Sequence, residues 1–255
     1  MNKTLLLISV FLLTATVQVN AQDRSAFRSG YLRLGINKLG DDLDKGISPK
    51  QNVFDGRYGA STGYVFETGR IFYFRGRSQP KLINFGLDWT YLSLNYNKMD
   101  KWATYGRDRG AANVTVDGTK IAAAISSKLG PVISINPIEK LVIDARFQVS
   151  PVVRFFDFGY AENEGTPNEQ YFSFTNYEGD GTEEYDGESV KNRIAFGIAT
   201  SFGVTLRRKA IGFAVDYISG DVKSNYESGG GTSISSSGKE NIPVHQIQFK
   251  LSFTL

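Results

Sequence analysis

His245-Gln246-Ile247-Gln248-Phe249-Lys250-Leu251-Ser252-Phe253-Thr254-Leu255 closes the chain, with apolar residues at every odd position after the histidine and polar ones at every even position. A period of two places successive side chains on opposite faces of an extended backbone, so the segment reads as a strand with one apolar and one polar face. Working back, Ile194, Phe196, Ile198, Phe202, Val204 and Leu206 alternate with Arg193, Ala195, Gly197, Ala199, Ser201 and Gly203. Ile211, Phe213, Val215 and Tyr217 then alternate with Gly212, Ala214 and Asp216. Only Arg207 to Ala210 separates those two runs, which predicts a tight hairpin.

Further runs lie upstream. Leu141, Ile143, Ala145, Phe147 and Val149 alternate with Asp144, Arg146, Gln148 and Ser150, and Ile83, Phe85, Leu87, Trp89 and Tyr91 with Asn84, Gly86, Asp88 and Thr90. Weaker strands are expected around Leu32–Ile36, Tyr58–Glu67 and Lys120–Lys128. The expectation is an all-β chain of eight strands without a long helix. Polar connections near 38–56, 97–115, 159–190 and 220–242 are long, whereas those near 68–80, 129–139 and 207–210 are short. If the strands run up and down, all the long loops emerge at one end. That asymmetry belongs to membrane barrels.

Alternation alone also fits a soluble β-sandwich or a lipocalin-like binder, so the composition of the polar face has to separate them. Gly35, Gly59, Gly63, Gly86, Gly197, Gly203 and Gly212 fall on it, which suits a narrow, crowded lumen. Its charges are Arg33, Lys120, Arg146, Arg193 and Lys250 against Glu67, Asp88, Asp144 and Asp216. A near-balanced set is what a filled interior requires, because buried charges must be paired. The reading is therefore a single closed antiparallel up-and-down transmembrane β-barrel.

The chain resembles the small OmpA/OmpX-type outer-membrane β-barrel proteins of Gram-negative bacteria, over the whole of its mature length. The closing segment carries the resemblance. It is similar to the terminal-strand signal read by the outer-membrane assembly machinery, with Phe249, Leu251, Phe253 and Leu255 as the signal residues, although the last residue is Leu255 where an aromatic is common. The resemblance implies an outer-membrane location and lipid contact on the apolar face, and the chain is expected to end at the barrel, without the periplasmic peptidoglycan-binding domain of longer members.

Met1-Asn2-Lys3, an apolar run from Leu5 to Leu13 and Val19-Asn20-Ala21 have the layout of a secretory signal peptide. The run is about ten residues, too short for the roughly 17–25 of a spanning helix. Residues 1–21 are expected to be cleaved, leaving 22–255 as the barrel domain.

The chain has no cysteine, which removes thiolate chemistry, disulfides and cysteine-based zinc sites. Its one histidine, His245, rules out multi-histidine metal centres. A net charge of +3 gives no reason to expect nucleic acid. Lipid-modifying barrel enzymes of the deacylase class carry a His-x-Ser pattern, but His245 is followed by Gln246 and Ile247, so no enzyme and no cofactor is expected. The segment Ala161–Ser189 is acidic, aromatic and free of Lys and Arg, and within it Asp180, Glu184, Asp186 and Glu188 are weak calcium candidates. Its spacing does not match a helix-loop-helix calcium loop, and a solvated acidic loop is the plainer reading. The functional expectation is a non-enzymatic surface role in structure, adhesion or binding. The partners would be an extracellular protein or a divalent cation.

Overall fold

The protein was analysed as a computed structural model that describes residues 27, 29–74, 82–138, 140–174, 192–231 and 233–255. The strands are β1 (Gly30–Leu39), β2 (Gly63–Tyr73), β3 (Ile83–Lys98), β4 (Thr115–Ile138), β5 (Leu141–Glu162), β6 (Gln170–Ser173), β7 (Ile194–Arg208), β8 (Ile211–Gly230) and β9 (Ser233–Thr254). Two short helices, α1 (Pro49–Phe54) and α2 (Trp102–Asp108), lie in the first two long loops.

Eight strands close a ring. β1 to β5 pair in sequence, β5 pairs with β7, β7 with β8, β8 with β9, and β9 returns to β1 with Leu34 opposite Leu251 and Ile36 opposite Phe249. Every pairing is antiparallel. Closure leaves no unpaired edge, the one way a sheet can stand in hydrocarbon. The turn between β7 and β8 is only Lys209-Ala210, with Lys209 in the left-handed region at φ 57°.

The ninth strand, β6, was not expected. It lies in the third long loop and pairs on one side with β5 (Tyr160 opposite Phe172) and on the other with β8 (Phe172 opposite Ser228). β7 joins β5 only from Ile194 opposite Phe155 downwards, so above that level β6 stands where β7 would be. The wall thus continues beyond the membrane as a collar.

The inside of the barrel has two storeys. On the turn side, Arg33, Glu67, Asp88, Asp144, Arg146, Asp216 and Lys250 are all buried. On the loop side the inward residues become apolar: Trp102, Phe156, Phe158, Tyr160, Phe172, Phe174, Val222, Tyr226, Ile242 and Val244 form one core with Leu39, Val53 and Tyr58. Outside, the pattern is reversed, with Phe85 57%, Phe196 58%, Ile198 65% and Phe202 58% exposed on the lower wall. An apolar exterior around an ionic interior removes the soluble alternative, which requires an apolar interior and a wet exterior.

The inversion between storeys also explains where the sequence reading placed elements differently. Residues 220–242, read as a loop, are the upper halves of β8 and β9, because above the membrane Val222, Tyr226, Ile242 and Val244 point inward instead of out. Residues 129–138, read as a turn, belong to β4, and residues 68–73 belong to β2. Tyr58 precedes β2 and is buried in the upper core, whereas Tyr64, read as its companion, is 68% exposed outside. Gly59 sits in that same non-strand stretch at φ 57°. Within β3 a register shift between Thr90 and Ser93 switches the inward parity from Asp88 and Thr90 to Ser93, Asn95 and Asn97. A bulge of this kind keeps polar residues on one face across a change of phase.

Candidate functional site

The ionic storey is built around two carboxylates. Glu67 Oε1 accepts from Lys128 Nζ at 2.5 Å and from Ser93 Oγ at 3.2 Å, and its Oε2 accepts from Lys250 Nζ at 2.7 Å, with Arg33 Nη1 at 3.6 Å. Asp216 accepts from Arg146 and from Lys250, so Lys250 joins the two centres. Asp88 takes the Tyr31 hydroxyl at 2.7 Å and stands 3.8 Å from Arg33 and 3.9 Å from Arg146. Asp144 accepts from Arg207 Nε at 2.8 Å and from Ser134 Oγ at 2.5 Å.

Two sequence-derived members fall outside this network. Lys120 is half-buried at φ 60° in the irregular stretch of β4 between Asp117 and Ile121, where the break in pairing turns it away from the inward row. Arg193 precedes β7 and bonds Asp157 at 2.7 Å in the upper part of the molecule. In their place stand Lys128 and Arg207, each about 2% exposed. Lys128 closed a segment of uncertain strand character, and Arg207 was assigned to the hairpin; its inward parity was readable by continuing the β7 alternation from Gly203 through Thr205.

The small inward residues make room for these side chains. A Cβ at Gly203 would collide with the carboxylate of Asp216 and would approach Arg146 Nε to 2.7 Å. Gly203→Val is therefore expected to push the Arg146–Asp216 pair apart and to lower the unfolding midpoint measurably, whereas Phe202→Leu, on the outer face of the same strand, should leave it nearly unchanged.

Above the ions, Phe156 and Phe174 stack at 4.1 Å, and Trp102 packs against Phe158 and Tyr160 at 5.0 and 5.1 Å. Trp102 Nε1 donates to the Tyr58 carbonyl at 2.8 Å, so α2 is held inside the collar by its first residue. α1 begins at Pro49 behind Ser48, whose hydroxyl accepts from the Gln51 amide at 3.2 Å. Such caps are preferred because they satisfy an orphan amide of the first turn. In α2, burial pushes the Tyr105 hydroxyl pKa up, an effect opposed by the neighbouring Arg109.

At the outer surface, α1, the end of α2, β6 and the β8–β9 hairpin enclose an open cleft of about 710 Å³. Lys50, Arg109, Glu162, Glu169, Gln170 and Tyr171 supply its polar lining. Lys50 Nζ lies 4.8 Å over the Tyr226 ring, and Arg109 is 3.5 Å from Glu162. A surface clasp joins the first two loops: Lys101 Nζ donates to Asp42 at 2.9 Å, with Lys38 at 3.6 Å. The bond from Lys101, then the charges of Lys101 and Lys38, hold the Asp42 carboxyl below its ordinary value. A lowered carboxylate pKa gives a contribution present above the unfolded value and lost as pH falls through the folded one. Protection of the loop amides near Asp42, taken relative to their intrinsic exchange rates, should accordingly fall on acidification below about pH 4, the ordinary carboxylate range.

His245 is half-buried, and strand register sets it opposite Ser219, whose hydroxyl lies 3.0 Å from its Nδ1. The sequence held no serine near His245, since this one comes from the neighbouring strand. Among the described residues no carboxylate orients the ring. Asp180, Glu184, Asp186 and Glu188 lie outside the described residues, as does the whole of 1–21. On β9, Phe249, Leu251 and Leu255 are exposed on the outer face and Phe253 is half-exposed beside them.

A closed ring of eight strands with long loops at one end, an apolar outer wall and an ionic interior is now in place. Its architecture is that of a small closed antiparallel β-barrel able to stand in a membrane. The outward apolar belt is suited to contact with lipid. No family model matches the chain, and no curated protein matches it. Among solved structures it is similar to neisserial surface protein A, at 8% identity over 92% of this chain and 100% of that one, with a TM-score of 0.40. It is also similar to Ail, the attachment invasion locus protein of Yersinia pestis, at 9% identity over 89% and 99% with a TM-score of 0.40. The outer membrane protein OprG from Pseudomonas aeruginosa matches at 11% identity over 92% and 100%, with a TM-score of 0.29.

Proposed function

We propose that this barrel is a non-conducting, non-enzymatic display scaffold whose work is done at the outer collar, where the cleft between α1, β6 and the β8–β9 hairpin receives a surface partner. The observation that carries this reading is the filling of the lumen twice over, by the Glu67–Lys250–Asp216 ion network and by the Trp102–Phe156–Phe174 core above it. A scaffold that closes its own bore leaves only its outer face to meet other molecules. The cleft volume of about 710 Å³ lies within the range of roughly 300–1,000 Å³ found for ligand sites. Among the described residues no carboxylate orients the His245 imidazole beside Ser219, as a catalytic dyad would need.

The acidic segment 161–189 joins the cleft through Glu162, Glu169 and β6, and a basic protein surface, or one bridged by calcium, is the chemistry it favours. Two measurements test this. In planar bilayers the purified barrel should give no large steady current; a stable open pore would overturn the plugged reading. Shortening the chain between Phe174 and Asn192 should leave heat-modifiable migration intact while removing binding to basic partners, with and without calcium. Binding that survives the deletion would move the contact surface elsewhere on the collar.

A further inference from the structure

Between the ionic and aromatic storeys the barrel keeps an internal cavity of about 20 Å³. Beside the amide of Asn95 and the hydroxyls of Ser126 and Ser150, its polar lining carries Lys128, Arg154 and Gln246. Arg154 of β5 is 2% exposed, and its Nε and Nη1 have no hydrogen-bond partner. Gln246 of β9 is equally buried, with its Oε1 taken by Gln248 and its Nε2 left without a partner. Lys128 of β4 lines the same space while its ammonium bonds Glu67. The acceptor nearest in kind, Asn95 Oδ1, already receives Gln248 Nε2 at 2.7 Å. Asp221 also borders the cavity, but it is an exposed residue that forms no ion pair with Arg154.

Charge bookkeeping points the same way. Among the described residues six buried cations, Arg33, Lys128, Arg146, Arg154, Arg207 and Lys250, share the lumen with four buried carboxylates, Glu67, Asp88, Asp144 and Asp216. The remaining buried carboxylates, Asp157 and Glu162, are matched by Arg193 and Arg109. The lumen thus holds two more cations than carboxylates, and of the six Arg154 is the one with no carboxylate within ion-pair distance among the described residues. A buried guanidinium without a counter-charge is strongly disfavoured, and a water molecule would fill its hydrogen bonds without meeting its charge.

We propose that this cavity is a binding site for one small monatomic anion, chloride under ordinary conditions, held by the Arg154 guanidinium and the Gln246 side-chain amide, with Lys128 on the same wall. About 10–15 Å³ of such space holds a single water. The cavity therefore admits one halide and excludes sulfate or phosphate.

The test is to refold the full barrel with chloride replaced by bromide, gluconate or sulfate at constant ionic strength, because an enclosed ion is captured during folding. Crystals grown from the bromide preparation should show anomalous density between Arg154 and Gln246. The thermal midpoint should be several degrees higher in chloride or bromide than in gluconate or sulfate. That difference should vanish in Arg154→Gln and persist in Lys223→Gln, an exposed control. Equal midpoints in all four anions with no anomalous peak would mean water alone fills the cavity and would overturn the proposal. If Arg154→Gln does not fold, the bromide density in the unaltered chain still decides.

Discussion

Glu67→Gln should remove more stability than any other single substitution in the lumen. The change keeps the shape of the side chain and deletes one charge, yet that charge is shared by Lys128 at 2.5 Å, Lys250 at 2.7 Å and Arg33 at 3.6 Å. All four residues are at most 2% exposed, so water cannot replace what is lost. Removing one partner of a buried ion pair leaves the other uncompensated, at about 3–5 kcal/mol. Against a typical total of about 5–15 kcal/mol, that is a large share of the fold's stability. The urea midpoint of the refolded barrel should fall accordingly, and the heat-modifiable band should shift to lower temperature. Pairing the change with Lys128→Met should recover part of the loss, because the orphaned ammonium goes with it. A loss below about 1 kcal/mol, the value of a solvated pair, would mean that water reaches Glu67 and that the lumen is not a closed ionic core.

Much of this network was legible because it lies where lipid imposes a simple rule. In the lower barrel the outside must be apolar, so Leu34, Ile36, Phe249 and Leu251 announce β1 and β9, and Arg33 and Lys250 fall inward by parity alone. Above the membrane the rule reverses. There the wall has water outside and a packed core inside, so Val222 and Tyr226 become inward residues without any break in the strand. A reading that follows apolar residues outward loses the strand at that level and reports a loop. The third-loop strand β6 was hidden for a different reason. Its four residues, Gln170 to Ser173, are too few for a periodic signal, and only pairing with β5 and β8 identifies them. The Ser219–His245 contact and the cavity beside Arg154 likewise depend on register between strands, which one strand's pattern does not contain.

Removing the part of β9 from Ile242 onward should prevent assembly altogether, a larger effect than any point substitution. The strand bonds to β1 from Tyr31 opposite Thr254 to Leu39 opposite Gln246, and to β8 along nearly its whole length. Its loss exposes both of those edges to hydrocarbon, where each unsatisfied backbone group costs several kcal/mol. It also deletes Lys250, the side chain that joins the Glu67 and Asp216 centres. Point changes on the outer face separate closure from lipid contact. Phe249 is 43% exposed and stacks on Phe213 at 6.3 Å, so Phe249→Arg places a charge in the apolar belt at about 2–4 kcal/mol near the midplane. Leu255 follows the end of β9, and only its backbone amide is engaged, with Gly30 at 2.8 Å. Leu255→Asp alone should therefore fold almost normally in detergent, whereas a combined change with Phe253→Asp should fail in the cell if these residues also serve as the assembly signal. Refolding into liposomes reads the first effect and recovery in the outer-membrane fraction reads the second. A truncated chain that still inserted and migrated as a heat-modifiable species would be incompatible with a ring closed through β9.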